Sequence, residues 1–347
     1  MISNLRVQNF RVHDDYVVDF NQGVTVITGP NGSGKTSLIE AIYLALSGKS
    51  WRSNFAEILQ TVGDKPAEWW RIDLTLDGGE KRTVKFLNDQ GNLKKSFETG
   101  GKIFARLPAK MKKPIVLFEP NDLQLLYGSP ARRRQFFDRF ITELIPEHQT
   151  NLNKFERILR QRNNLLKKEA SADELFVWDL QFSDLSEKIS QARRDVVKQI
   201  NENLTEKYAE IAGKNDVINL KFMAGGPLDR REIMNELSNQ KSYQATPIGA
   251  QKDDVKFLLN KKLAKTAASR GENRTIIFAI LARQIEILRA TNQEVFVILD
   301  DIDSELDDVH KNNLYKISAL SENNLFATTI KFKGKAANHI KLSSLSS

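Results

Sequence analysis

The sequence predicts an α/β fold: a phosphate-loop head with an antiparallel β subdomain and an inserted helical arm. Three observations predict it. A glycine-rich loop, Gly29 to Thr36, sits between an apolar run and a helix-periodic stretch. Near the other end of the chain, a second apolar run, Val295 to Leu299, delivers the paired acids Asp300 and Asp301. Between them, residues 152–211 are polar, glycine-free and helix-periodic.

The loop reads Gly29-Pro30-Asn31-Gly32-Ser33-Gly34-Lys35-Thr36. Val24 to Ile27 precede it, and Leu38, Ile39, Ile42, Ala45 and Leu46 follow at helical spacing. Strand, glycine loop and helix form the context in which backbone N–H groups can surround a phosphate chain. The helix N-terminus adds unpaired amides and the positive end of its dipole. Lys35 is expected to reach the terminal phosphates, and the Thr36 hydroxyl to ligate Mg2+. The plainer reading, a glycine turn before an ordinary helix, explains neither the lysine nor the hydroxyl.

Around this loop the first hundred residues read as strands. Ile2, Leu5 and Val7 alternate, Tyr16 to Phe20 form a second piece, and Ile72 to Leu76 turn at Asp77-Gly78-Gly79 into Thr83 to Leu87. Ile115 to Phe118 is a short buried-type strand ending at Glu119-Pro120-Asn121-Asp122. Ser129-Pro130 then opens a helix whose apolar stripe is Phe136, Phe137, Phe140, Ile141, Leu144 and Ile145, stopped or bent at Pro146. One stripe, Leu152, Phe155, Leu159 and Leu166, and another, Phe182, Leu185, Ile189, Ala192, Val196 and Ile200, flank Ala170 to Asp173. They predict two long helices folded back on one another, or else a compact helical subdomain. Gly225-Gly226-Pro227 marks a return loop, Ala268 to Glu272 open another helix, and Leu325 to Thr329 are a last strand. The expected division is a head of residues 1–125 and 245–347, with residues 126–244 inserted.

Composition narrows the chemistry. The 347 residues carry a formal net charge of +8, which mildly favours an acidic partner such as nucleic acid. Without cysteine there is no disulfide, thiolate metal site or cysteine nucleophile. His13, His148, His310 and His339 show no metal-ligand spacing. No apolar run is long enough to span a membrane, and no signal-peptide core opens the chain, so the cytoplasm is the expected location.

Asp300 at a strand end, in a chain with a phosphate loop, is expected to hold Mg2+ beside Thr36, with Asp301 placed to polarise the attacking water. Alone, the pair would read as solvated turn aspartates. Ser269-Arg270-Gly271-Glu272 is expected to be a second anion site, in which the serine caps a helix and the glycine lets a phosphate approach. Alone, that segment is an ordinary capped helix. Arg132, Arg133 and Arg134 at a helix start are candidate DNA-phosphate contacts, or else a solvated turn or a contact with the head. Lys94, Lys95, Lys110, Lys112, Lys113, Lys261 and Lys262 are weaker candidates.

The order of these motifs resembles that of the ABC-type ATPases, and their wide separation resembles the SMC-like branch. Over essentially the whole chain the pieces resemble the RecF family of bacterial recombination mediators. They are Asn9-Phe10-Arg11, the phosphate loop, Gly48-Lys49-Ser50-Trp51-Arg52, Glu119 to Leu123 and Gly128-Ser129-Pro130 with Arg132 to Arg134 and Asp138. Ala268 to Arg274 and Leu299 to Asp307 complete them. The chain departs from the family where Gly249-Ala250-Gln251-Lys252-Asp253-Asp254 replaces Gly-Pro-His-Arg-Asp-Asp, where Trp51 replaces histidine, and where Glu272 replaces the signature glutamine. The resemblance implies ATP and Mg2+ as cofactors, an ATP-dependent homodimer, and weak DNA-dependent ATPase activity. It also implies binding to gapped or junction DNA and RecA loading with RecO and RecR. The short arm and the roughly forty residues after the acidic strand set the chain apart from zinc-hook and nuclease relatives. Another SMC-like repair ATPase with a different partner is the alternative, and a transporter ATPase a more distant one.

Overall fold

The computed structural model describes residues 1–62, 65–238, 244–291, 293–302, 324–332 and 336–343. The Ser304-Glu305-Leu306-Asp307 segment, which carries much of the family resemblance, lies outside the described residues. Two compact units emerge: Met1–Pro120 with Leu288–Ser347, and Asn121–Ile287.

The first unit starts with β1 (Ile2–Phe10), β2 (His13–Asp19) and β3 (Thr25–Thr28), followed by α1 (Lys35–Ser47). Two short strands, β4 (Thr61–Val62) and β5 (Lys65–Pro66), precede β6 (Trp69–Leu76), β7 (Lys81–Asp89), β8 (Asn92–Thr99), β9 (Lys102–Phe104) and β10 (Ile115–Phe118). An antiparallel sheet runs in the order β2-β1-β6-β7-β8-β9. Its alternation is clean: Trp70, Ile72, Leu74 and Leu76 on β6 join Val84 and Phe86 on β7 in one core with the apolar residues of α1. The expected hairpin at Asp77-Gly78-Gly79 is present, with Gly78 at φ 79°, a left-handed turn conformation that glycine adopts without strain.

The second unit contains α2 (Pro130–Leu144), α3 (Glu147–Lys167), α4 (Ala172–Asn201), α5 (Leu204–Ala212), β11 (Ile218–Met223) and α6 (Arg230–Ser238). These are followed by β12 (Asp254–Leu259), β13 (Lys262–Leu263), α7 (Ala264–Ala267) and most of α8 (Arg270–Arg289). Ser129 caps α2 with Pro130 in its first turn, and Ser171 with Glu174 forms a capping box on α4. The two long helices α3 and α4 meet through Phe155, Ile158, Phe182, Leu185 and Ile189, and the same cluster takes in Ile233, Leu237 and Ala250.

The chain closes the first unit with β14 (Phe296–Leu299), β15 (Leu325–Thr329) and β16 (Asn338–Lys341). These complete a parallel sheet ordered β10-β14-β15-β3-β16. The described residues of β3, β10, β14 and β15 are all buried, the burial expected of parallel strands, and β10 and β14 accordingly read as unbroken apolar runs. This order puts β15 between β3 and β14. Because all three run the same way, the loop after β3 and the acids after β14 emerge at the same edge.

Candidate functional site

At that edge, β3 ends at Thr28 and the chain turns through the glycine loop into α1. Gly32 and Gly34 have φ of 82° and 89°. Gly34 is the N-cap of α1 and carries no capping side chain, unlike Ser129 on α2 and Ser171 on α4. The first amides of α1 are thus left for another acceptor. Lys35 is buried and donates its ammonium protons to the carbonyl oxygens of Gly29 and Pro30, at 2.8 and 2.9 Å, which aligns it along the loop. The Ser33 hydroxyl is buried with no protein partner among the described residues. An unsatisfied buried hydroxyl among free amides fits a phosphate oxygen.

The acids meet the loop directly. The Thr36 hydroxyl donates to Asp300 Oδ1 at 2.8 Å, joining residues 264 apart in sequence. Leu299 is in register with Ala327 of β15, so the next residue on that strand, Thr328, faces Asp300. Its hydroxyl donates to the same oxygen at 2.8 Å and accepts the Asp301 N–H at 2.7 Å. Asp301 has φ 45°, which swings the chain away from the strand. Burial pushes the Asp300 carboxyl above the usual range. The hydroxyls of Thr328 and Thr36 and the charge of Arg52 offset part of this. A hard carboxylate with a hydroxyl 2.8 Å away fits Mg2+, which takes few protein oxygens and fills its octahedron with water and phosphate. Among the described residues no cluster of three metal-ligating side chains exists, so a dedicated protein cage is absent there.

Several neighbours were not legible as site residues. Glu40, fully buried on α1, receives a two-pronged Arg11 guanidinium at 2.8 and 3.0 Å and the Ser50 hydroxyl at 2.6 Å. Thus the separated motifs Asn9-Phe10-Arg11 and Gly48 to Arg52 are tied to the loop's helix by one acid. His13 Nε2 lies 3.1 Å from the Gly34 carbonyl oxygen. No sequence spacing marked it.

The second unit holds the other candidates. Ser269 and Glu272 form a reciprocal cap: the Ser269 N–H donates to Glu272 at 2.8 Å, and the Glu272 N–H donates to the Ser269 hydroxyl at 3.3 Å. The Ser269 amide and hydroxyl and the Lys214 ammonium hold the Glu272 carboxyl below its usual range. A Cβ at Gly271 would meet open space. The three arginines have internal partners. Arg132 donates to the Asn121 carbonyl, Arg133 makes a fork on Asp254 at 2.6 and 2.9 Å, and Arg134 donates to the Asp253 carbonyl. Contacts from Arg133 and Arg134 to DNA would compete with these bonds. The diverged 249–254 block is the hub of this network. Asp253 is buried and accepts from Ser190, Arg193 and the Gly225 N–H.

Comparisons with known proteins bear on the family and the fold. A family described as "AAA domain" matches residues 4–324. DNA replication and repair protein RecF of Heliobacterium modesticaldum is 30% identical, covering 94% of this chain and 92% of its own. The protein of the same name from Acholeplasma laidlawii is also 30% identical, covering 95% and 93%. A solved structure of the recombination mediator RecF with ATP superposes with a TM-score of 0.82 at 24% identity, over 98% of this chain and 95% of that one. An Smc head bound to the C-winged helix domain of ScpA gives 0.55 at 16% identity, over 95% and 89%. The fold is thus that of ABC-type ATPase heads, and the chain belongs, as a diverged member, to the RecF family of DNA replication and repair proteins.

Proposed function

We propose that this chain is an ATP-switched DNA-binding protein of recombinational repair and replication restart. The contact between Thr36 and Asp300 carries the reading, because it joins the loop to the acidic strand end. In this reading Gly29 to Thr36 bind the phosphates of ATP, and Lys35 neutralises the terminal ones. Thr36 and Asp300 hold Mg2+, which draws charge from the phosphates when bound. Asp301 orients the attacking water. Its side chain is one methylene shorter than the glutamate usual at such sites, so turnover is slow, below about 10 per second. ATP then acts as a timed switch rather than a motor.

The head comprises residues 1–125 and 245–347, and two heads join through ATP. Each nucleotide is held by the loop of one chain and by Ser269, Gly271 and Glu272 of the other. The bare backbone at Gly271 and the cap at Ser269 suit that role. The closed dimer clamps gapped or junction DNA through Lys and Arg, consistent with the net charge of +8. Partnership with RecO and RecR in loading RecA is taken from the family. Sedimentation with and without ATP, repeated with duplex DNA, tests the proposal. ATP should favour the dimer, and DNA affinity should rise with ATP and fall steeply with salt. Indifference to both would refute it.

A further inference from the structure

We infer that His13 is a positioning residue of the phosphate loop, its imidazole N–H holding the Gly34 carbonyl so that the Lys35 amide points into the phosphate cradle. This rests on the nucleotide reading of the loop and adds a residue to it.

The geometry is specific. His13 opens β2 opposite Phe10, and only 6% of its surface is exposed. Nε2 lies 3.1 Å from the Gly34 oxygen. A carbonyl can only accept, so Nε2 carries the proton. The Tyr16 ring packs beside the imidazole, with centroids 5.3 Å apart. Contact is so close that a Cβ on Gly34 would stand 2.4 Å from Nε2 and 2.7 Å from Val12 Cγ2. The strand therefore forms a floor under the loop's last glycine.

The consequence follows from the peptide plane. Residues 34 and 35 share one planar trans unit, in which C=O and N–H point in opposite directions. The Gly34 oxygen already accepts the Leu38 N–H at 3.2 Å, the first bond of α1. A second donor on this oxygen fixes the plane and polarises the unit, strengthening the Lys35 N–H as a donor on the far side. Gly34 has no side chain of its own to hold this orientation, and α1 has no capping side chain. Burial lowers the imidazole's affinity for a second proton, and the Gly34 bond opposes this in part. His13 is a neutral donor that leaves the positive charge of the cradle to Lys35.

Two pairs of variants separate the hydrogen bond from packing. His13→Met and His13→Gln have similar length, but only glutamine carries an amide donor that reaches Gly34. His13→Leu and His13→Asn are matched in shape, and neither reaches. Direct titration with Mg-ATP gives affinity, and the melting midpoint without nucleotide gives stability. His13→Met, His13→Leu and His13→Asn are expected to bind ATP about fivefold more weakly, the scale of one hydrogen bond. His13→Gln is expected to stay within about twofold of the wild type. Melting midpoints should not follow that order. Should the methionine chain misfold, asparagine against glutamine makes the same test. Wild-type affinity in the donor-less variants, or a glutamine variant as weak as asparagine, would overturn the role. A wild-type protein with no ATP affinity would instead defeat the nucleotide reading itself.

Discussion

Asp138 and Asp300 are equally buried, each 8% exposed, yet their carboxyls shift in opposite directions. Burial pushes both up. At Asp138, bonds from His148 at 2.9 Å and from Arg193 at 2.7 and 2.9 Å outweigh it and hold the carboxyl below its usual range. Among the described residues the donors to Asp300 are two neutral hydroxyls, the charge of Arg52 offsets burial only in part, and the carboxyl stays raised. The difference lies in the partner's charge rather than in depth. In the second unit, carboxylates are matched by cations from the same chain, and the network is complete. At the strand ends of the first unit a buried carboxylate is stabilised too little by its own chain, and a divalent cation would complete it. One arrangement supports the fold; the other keeps a cost that a ligand can relieve.

The largest expected effect comes from breaking the complete network. Asp138→Asn leaves the buried Arg193 with one carboxylate fewer and should cost about 3–5 kcal/mol in urea unfolding. A loss under about 1 kcal/mol would mean the network contributes little.

Asp300→Asn should do the opposite to stability. ATP hydrolysis should fall about a hundredfold or more as the metal-holding charge disappears. In chelator-containing buffer the same variant should unfold at higher urea than the wild type, because the unfavourable buried charge is gone. Destabilisation there would contradict the contrast.

Acid sharpens the pair. The folded-state carboxyl of Asp138 lies below its unfolded value, so its stabilisation is present above the ordinary carboxylate range and vanishes as pH falls through the lowered value. For Asp300 the folded value is raised, so its contribution is present below the ordinary range and is lost as pH rises through the raised value. Urea midpoints across pH should show the penalty of Asp138→Asn shrinking in acid, and the benefit of Asp300→Asn appearing only above the carboxylate range.

A smaller effect is expected at Gly34→Ala, where φ is 89° and the new Cβ would strike His13. ATP affinity should drop about tenfold, with a stability loss of about 1–3 kcal/mol. Normal binding would show that the loop accommodates the strain.

Local features were legible in the sequence. Glycine, lysine and hydroxyl spacing carried the phosphate loop, and an unbroken apolar run ending in acids carried Asp300. The hairpin at Asp77-Gly78-Gly79 and the cap at Ser129-Pro130 were legible because turn and cap chemistry acts over a few residues. Partners set by topology were not. Thr328 meets Asp300 only because β14 and β15 are parallel neighbours in a given register. For Arg133 the sequence leaves open a DNA contact, a solvated turn or a contact with the head, and only the fold brings Asp254 to it across 121 residues. Glu40 sits within an apolar helix stripe, and only the fold shows the arginine and serine that neutralise it. His13 has no legible signal in the sequence, because its partner is a backbone carbonyl and not another side chain at metal-ligand spacing.

The most direct test of the proposed shared ATP site mixes two inactive proteins. Lys35→Ala should lose the phosphate-neutralising charge. Ser269→Arg should block closure while leaving ATP binding by a single chain nearly intact, because the bulk replaces the cap on α8. In a mixed dimer one site inherits both defects. The other pairs the intact Lys35 of one chain with the intact Ser269 of its partner. Mixing is therefore expected to restore part of the ATP-dependent association and hydrolysis. No recovery, with both variants shown to be folded, would contradict a site built from two chains.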